Sequence, residues 1–304
     1  MLTVATFYRF VALEHPAELQ KQLLQEGQRL HLRGTILLAP EGLNATLCGT
    51  ADALQSFLQT LQSDTRFSGL PIKYSQTQDD DPVFLRFKVK LKREIVTMGV
   101  PDVDVAAHTA THVPPAAFNE LLRDPKVRVI DVRNGYETGI GSFTGAQDPG
   151  TDSFREFPEY VERELGEDRD QPVAMFCTGG IRCEKASAYL VEQGFSNVSQ
   201  LDGGILRYLE EIPAEQSLWH GDCFVFDQRV TVDAQLQPGD YVQCFACRRP
   251  VAPEQLAAPE YVEGVSCPAC IGRPGAEGFT ERQRQIELAQ ARGQAHIGPD
   301  AQSD

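Results

Sequence analysis

The sequence has no run close to the about 20 consecutive apolar residues that a membrane-crossing helix needs. Its first residues, MLTVATFYRFVALEHP, lack a basic segment ahead of an apolar one and lack a small-residue cleavage site. No leader and no membrane partner are therefore expected, and a cytoplasmic location is. Positive charge is also short. The chain has 28 Lys+Arg against 43 Asp+Glu, a net charge of −15, which argues against a general polyanion-binding surface. No GxGxxG follows a predicted strand, so no flavin or nicotinamide site is read. The six histidines, at positions 15, 31, 108, 112, 220 and 296, do not form a two-histidine, one-carboxylate pattern.

What remains is a globular composition, 41% apolar over 304 residues, long enough for two or three domains. The charge is uneven. Residues 1–100 carry 11 basic and 10 acidic side chains, and the other 204 carry 17 and 33. A nucleic acid, if one is bound, would meet the first hundred residues. There, ATFYRFV reads as a strand and HPAELQKQLLQEGQRLHL as a helix with Leu19, Leu23, Leu24 and Leu30 on one side. GTILLAPEGLNATLCGT reads as two strands around a turn at residues 40–44. ADALQSFLQTLQSD is a second helix, with Leu54, Phe57, Leu58 and Leu61 together, and PIKYSQ and FLRFKVKLKREIV are strands. The order β-α-β-β-α-β predicts a ferredoxin-like fold for residues 1–100. In FLRFKVKLK strict alternation puts Arg86, Lys88, Lys90 and Lys92 on one face and Phe87, Val89 and Leu91 on the other. That stripe is either a solvated basic face or a contact for nucleic-acid phosphates.

After a linker, DVDVAAHTATHVPP, residues 101–213 alternate helices and strands. PPAAFNELLRD, PEYVERELG and CEKASAYLVEQG read as helices; KVRVIDVRN, QPVAMFC and SNVSQLDGG read as strands. This predicts an α/β domain with a parallel sheet. Ligands of such sheets sit at the carboxyl ends of the strands. Residues 214–304 have fewer helical signals, a strand candidate in CFVFDQRVTV, two CxxC pairs and a polar tail that is expected to fray.

Cys177 stands at one such strand end. The segment Cys177, Thr178, Gly179, Gly180, Ile181, Arg182 joins a strand to a helix. Its glycines let backbone N–H groups turn inward, and with the helix N-terminus they form a nest for an anion. A thiolate or persulfide on Cys177 is such an anion, and Arg182 and the helix end lower the thiol pKa. Cys177 is the candidate nucleophile. Cys183, in the first helical turn, is either a resolving thiol for an oxidised or persulfidated Cys177 or a small apolar packing residue. Asp131, Arg133 and Glu137 are expected to brace the loop.

A cysteine, four residues and an arginine make up the active loop of rhodanese domains, and the middle region resembles that family. Asp131-Val-Arg133, Glu137 and Gly141-Ser-Phe-Thr-Gly145-Ala match its DVR…E…G…GA pattern. More narrowly, CTGGIRCEKAS, with ILLAPEGLNATL, FKVKLKREIVTMG, FREFPEYV and the Cys-rich tail, resembles the bacterial rhodanese-related tRNA uridine hydroxylases over residues 3–295. LNAT at 43–46 departs from the INGT more usual in that family. The resemblance implies a tRNA partner and hydroxylation of the wobble uridine at C5 to 5-hydroxyuridine, with molecular oxygen as co-substrate. Two alternatives stay open. One is a sulfurtransferase carrying a persulfide on Cys177; the other is a non-enzymatic RNA-binding module. An intact thiol speaks against the module. The basic strand and the Cys-rich region, absent from plain rhodaneses, favour the hydroxylase over the sulfurtransferase.

Cys244, Cys247, Cys267 and Cys270 are spaced C-x2-C-x19-C-x2-C, a zinc-ribbon-like pattern that closes one structural zinc with four thiolates. Redox dithiols are the rival reading. Cys48 and Cys223 have no such pattern and are expected in the core.

Overall fold

The computed structural model describes residues 2–76, 84, 86–100, 103–108 and 110–272, and, farther on, 280–281, 283–284, 287–288 and 291. The chain forms two compact units. One contains residues 1–95 and 241–304, and the other residues 96–240. Residue 85 of the basic strand, His296 and most of the polar tail lie outside the described residues.

In the first unit the strands are β1 (Thr3–Phe10), β2 (Arg33–Ala39), β3 (Gly42–Gly49), β4 (Lys73–Gln76) and β5 (Phe87–Leu91). They form one sheet in the order β4-β1-β3-β2-β5. Helix α1 (Pro16–Arg29) links β1 to β2, and α2 (Ala51–Gln62) links β3 to β4. The first four strands give the ferredoxin-like arrangement, and β5 adds a parallel edge strand beside β2. The pattern causes this packing. Ala5, Phe7, Ile36, Leu38, Leu43, Ala45, Leu47 and Val89 all fall on one sheet face. They share a core with Leu19 and Leu23 of α1 and with Leu54, Phe57, Leu58 and Leu61 of α2. Each of the Leu, Ile, Val and Phe side chains, fully buried, contributes about 1.5–3 kcal/mol. Thr50 caps α2 by accepting from the Ala53 N–H. Gly27 of α1 leaves room for Phe87, because a Cβ there would lie 2.1 Å from that ring. Glu41 of the β2–β3 turn and Asn44 near the start of β3 also fix the unit's exit: the Glu41 carboxylate accepts from Ile95 N at 2.6 Å and the Asn44 amide donates to Ile95 O.

The second unit holds a parallel sheet in the order β6-β10-β9-β7: β6 (Thr111–Val113), β7 (Arg128–Asp131), β9 (Val173–Phe176) and β10 (Val198–Leu201). Between β7 and β9 the short strand β8 (Gly141–Phe143) leaves the sheet. The helices are α3 (Pro115–Arg123), α4 (Gly135–Thr138), α5 (Phe157–Glu164), α6 (Ile181–Glu192) and α7 (Gly204–Glu211). The apolar run VAMF of β9 alternates between two cores. Val173 and Met175 pack with Tyr160, Val161, Ala186 and Leu190. Ala174 and Phe176 pack with Phe118, Ile205 and Tyr208. A parallel sheet covered on both faces requires such a run.

The structure differs from the sequence expectations in four places. β6 lies in the segment expected to be a linker; at three residues it is too short and polar to show periodicity. CFVFDQRVTV is not one strand. It forms the hairpin β12 (Cys223–Phe224) and β13 (Thr231–Val232), which turns where Asp227 accepts from the Arg229 N–H and guanidinium. This hairpin and β11 (Trp219–Gly221), which pairs with β8, belong to the central unit and not with the cysteine pairs. Cys223, Val225 and Val232 share a core there with Phe143 and Trp219. Finally Leu91, expected on the apolar face, is exposed at the end of its edge strand. Cys48 and Cys223 are both buried.

Candidate active site and cysteine cluster

The loop 177–182 leaves β9 and enters α6. Cys177 is buried, at 1% exposure. Gly180 has φ 104°, a left-handed value that favours glycine, and its N–H donates to Cys177 Sγ at 3.1 Å. Burial alone would push the Cys177 thiol up. The Cys183 S–H, the Arg182 guanidinium and the Cys183 and Gly180 N–H groups outweigh it and bring the pKa down from 9.0 to about 5. The structure thus places a thiolate in a nest of donors. Cys183 is itself fully buried, and burial and the neighbouring thiolate push its thiol well above the ordinary value. It stands as the neutral donor to Cys177.

Arg182 is committed to Glu137. Two charge-assisted bonds of 2.6 and 2.7 Å join the two side chains, and a third, of 3.3 Å, reaches Thr178 Oγ1. Glu137 in turn accepts from Asn134 N and closes the start of α4. Asp131 and Arg133 form a second buried pair at 2.6 Å. Ser142 donates to Asp131, and Arg133 donates to Gly141 O and lies over the Trp219 ring. The two ion pairs therefore join β7, α4 and β8 to the thiol loop.

The sequence reading missed two supports. Gly204 approaches the loop so closely that a Cβ would lie 2.5 Å from Cys177 O and 2.7 Å from Thr178 O. Ile205 N and Leu206 N donate to those same carbonyls. The paired glycines 203 and 204 after a strand were the available signal. The second is the β12–β13 hairpin: Thr178 Oγ1 donates to Phe224 O at 3.5 Å, and Arg182 lies over the Phe226 ring. Nothing in the sequence indicated that this hairpin reaches the loop.

Arg86, Lys88, Lys90 and Lys92 are all exposed along edge strand β5. Burial, Lys90, Arg86 and Arg248 lower the Lys88 pKa, so Arg248 belongs to the same positive field.

The four cysteines of the CxxC pairs converge. Their sulfurs all lie within 4.8 Å of one another, with 3.9 Å between Cys244 and Cys270 and 3.7 Å for both Cys247–Cys267 and Cys267–Cys270. Bonds of about 2.3 Å to a tetrahedral metal put the sulfurs roughly 3.8 Å apart, whereas a disulfide needs about 2.05 Å. The set fits a metal ion such as zinc. The strands beside it, β14 (Val242–Gln243) and β15 (Pro250–Val251), are two residues each, and the local core is built around the cysteines themselves. So small a hairpin is not stable alone.

Two known families match parts of the chain. Residues 2–95 match the family described as the UPF0176 acylphosphatase like domain, and residues 114–211 match the rhodanese-like domain. Among similar solved structures, a rhodanese-related protein from Thermoplasma volcanium is 26% identical, covering 33% of this chain and 92% of its own at a TM-score of 0.28. A human single-domain sulfurtransferase is 20% identical, covering 34% of this chain and 99% of its own at 0.31. An acylphosphatase from Bacillus subtilis is 18% identical, covering 30% and 99% at 0.24. By the two family matches, the chain joins an N-terminal acylphosphatase-like domain of the UPF0176 kind to a rhodanese-like domain.

Proposed function

We propose that the protein hydroxylates C5 of the wobble uridine of tRNA, with Cys177 as the reacting side chain. The observation that carries the reading is the Cys177 sulfur accepting from Gly180 N beside Cys183 and Arg182, surroundings that favour its thiolate, in a chain whose CTGGIRCEKAS loop resembles the tRNA uridine hydroxylases. C5 of uracil is a weak nucleophile. A bond from Cys177 Sγ to C6 moves the C5–C6 electron pair onto C5 and O4, and C5 then attacks the oxidant. Loss of the C5 proton and departure of the thiolate restore the ring. Dioxygen supplies both oxygens: one enters the base, and the other leaves as water with two electrons and two protons from an external reductant. The loop's N–H donors stabilise the thiolate before attack and after release. The exposed row Arg86, Lys88, Lys90 and Lys92 is proposed to hold the tRNA backbone. The cysteine cluster is proposed to hold zinc in a structural role, since four thiolates close the coordination shell.

A second reading, sulfur transfer, is favoured by the burial of Cys177. A persulfide extends the reacting atom by about 2 Å beyond the buried Cys177 Sγ. Nucleoside mass spectrometry of tRNA from a deletion strain separates the two. The expected result is loss of 5-hydroxyuridine and its derivatives, restored by the wild-type gene and not by Cys177→Ser. Undiminished 5-hydroxyuridine in the deletion strain refutes the hydroxylase reading.

A further inference from the structure

Phe226 is 61% exposed and sits in the connection between β12 and β13. Its ring centroid is 5.0 Å from that of Phe224 in an edge arrangement, and Phe224 meets Tyr136 the same way at 5.4 Å. The Arg182 guanidinium lies over the Phe226 ring, 5.7 Å from its centroid. A lone exposed phenylalanine is ordinary on a protein surface. This one is held in place from three sides. Val225 N donates to Val230 O, Asp227 and Arg229 form a bidentate pair, and Thr178 of the thiol loop bonds to Phe224 O. The hairpin thus fixes a solvent-facing aromatic ring beside the arginine of the active loop.

A small sulfur-bearing anion gains nothing from such a ring, because an aromatic face is the negative side of its quadrupole. A flat, uncharged, unstacked ring gains contact area and stacking energy. The hairpin also lies beyond residues 114–211, the rhodanese-like match. The ring is therefore supplied by chain outside that domain. We propose that Phe226 is a stacking platform for an unpaired pyrimidine base, with Phe224 and Tyr136 supporting it, and that it presents the base to the Cys177 loop. The identity of the ligand rests on the tRNA reading above; the platform itself is tested by binding.

The test uses the full chain and two RNA hairpins with an anticodon-like loop, one carrying uridine at the first anticodon position and one abasic there. Affinities are measured at one fixed salt concentration. Wild type is expected to prefer the uridine hairpin by about tenfold, the scale of one base stacked on an aromatic side chain. Phe226→Ala is expected to bind both hairpins at the abasic level and Phe226→Tyr to keep the preference. Phe226→Leu, which retains apolar bulk without a ring, is expected to lose most of it. Emission from Trp219 checks that each variant is folded. No uridine preference in wild type, or a preference that survives Phe226→Ala, overturns the proposal. Hydroxylation is read separately in cells. If the deletion strain lacks 5-hydroxyuridine but Phe226→Ala keeps the uridine preference, the platform fails and the hydroxylase reading stands. If 5-hydroxyuridine persists in the deletion strain but the preference is lost in Phe226→Ala, the hydroxylase reading fails and the platform stands.

Discussion

A buried thiolate must leave its mark on the pH dependence of stability. The Cys177 pKa in the folded chain is about 5, against an ordinary 9.0. Between these values the folded chain holds a thiolate and the unfolded chain a thiol, so unfolding takes up one proton. Stability from this residue is fully present above pH 9 and falls away as the pH drops toward 5. The slope is about 1.4 kcal/mol per pH unit, or roughly 2.7 kcal/mol between pH 6 and pH 8. Cys177→Ser removes it, because a serine hydroxyl stays neutral throughout. The assay is urea unfolding under reductant at several pH values, followed by Trp219. That residue is the sole tryptophan of the chain, and it is buried in the core of the unit that holds the loop. The stability difference, wild type minus Cys177→Ser, is expected to grow by about 1.4 kcal/mol per unit across this range. Parallel curves for the two proteins from pH 6 to 8 would show that Cys177 is not a thiolate in the fold.

Removing the Cys183 S–H donor by Cys183→Ala is expected to raise the Cys177 midpoint by about one to two pH units, from a charge-assisted bond of roughly 1.5–3 kcal/mol; the pH dependence of iodoacetamide alkylation reads it. Glu137→Gln leaves the buried Arg182 charge without its partner and is expected to cost about 3–5 kcal/mol in the same urea assay. Cys267→Ser is expected to abolish binding of one zinc per chain, measured by elemental analysis of protein purified without chelator; metal-free wild type carrying disulfides would instead support the redox reading. Changing both Lys88 and Lys90 to Glu is expected to weaken tRNA binding and lower the salt slope by about 2, since each phosphate contact contributes roughly 0.9; an unchanged slope removes the stripe from the interface.

The parts of this protein legible in its sequence are those with a local cause. In the first unit, apolar residues alternate along each strand and recur at three- and four-residue spacing in α2, so both the elements and the core face could be read from single segments. The thiol loop was legible for the same reason. Gly180 must take a positive φ, and it lies three residues from the sulfur whose charge its N–H satisfies. The convergence of the four cysteines was likewise written in their spacing, because a CxxC pair can direct both sulfurs to one ion.

What escaped the reading is the work of residues far apart in the chain. Thr178 and Phe224 are 46 positions apart, yet their contact sets the hairpin against the loop. Arg182 and Glu137 are 45 apart, and only the pattern match suggested that they belong together. Strand β6 exists because β10 offers it an edge to pair with, not because THV has a strand period. Phe226 shows the limit most clearly. On sequence it is the last of four consecutive apolar residues, Cys223 to Phe226, within a strand candidate. The turn at Asp227–Arg229 breaks that strand, leaves the ring in solvent and places it over the arginine of the thiol loop. The loop gathers donors around the Cys177 sulfur; the neighbouring ring, contributed by chain beyond the rhodanese-like match, is where the proposed preference for a planar base would arise. Chemistry and selectivity would then belong to different stretches of sequence: the thiol to the loop after β9, the contact with a base to the hairpin that follows β11.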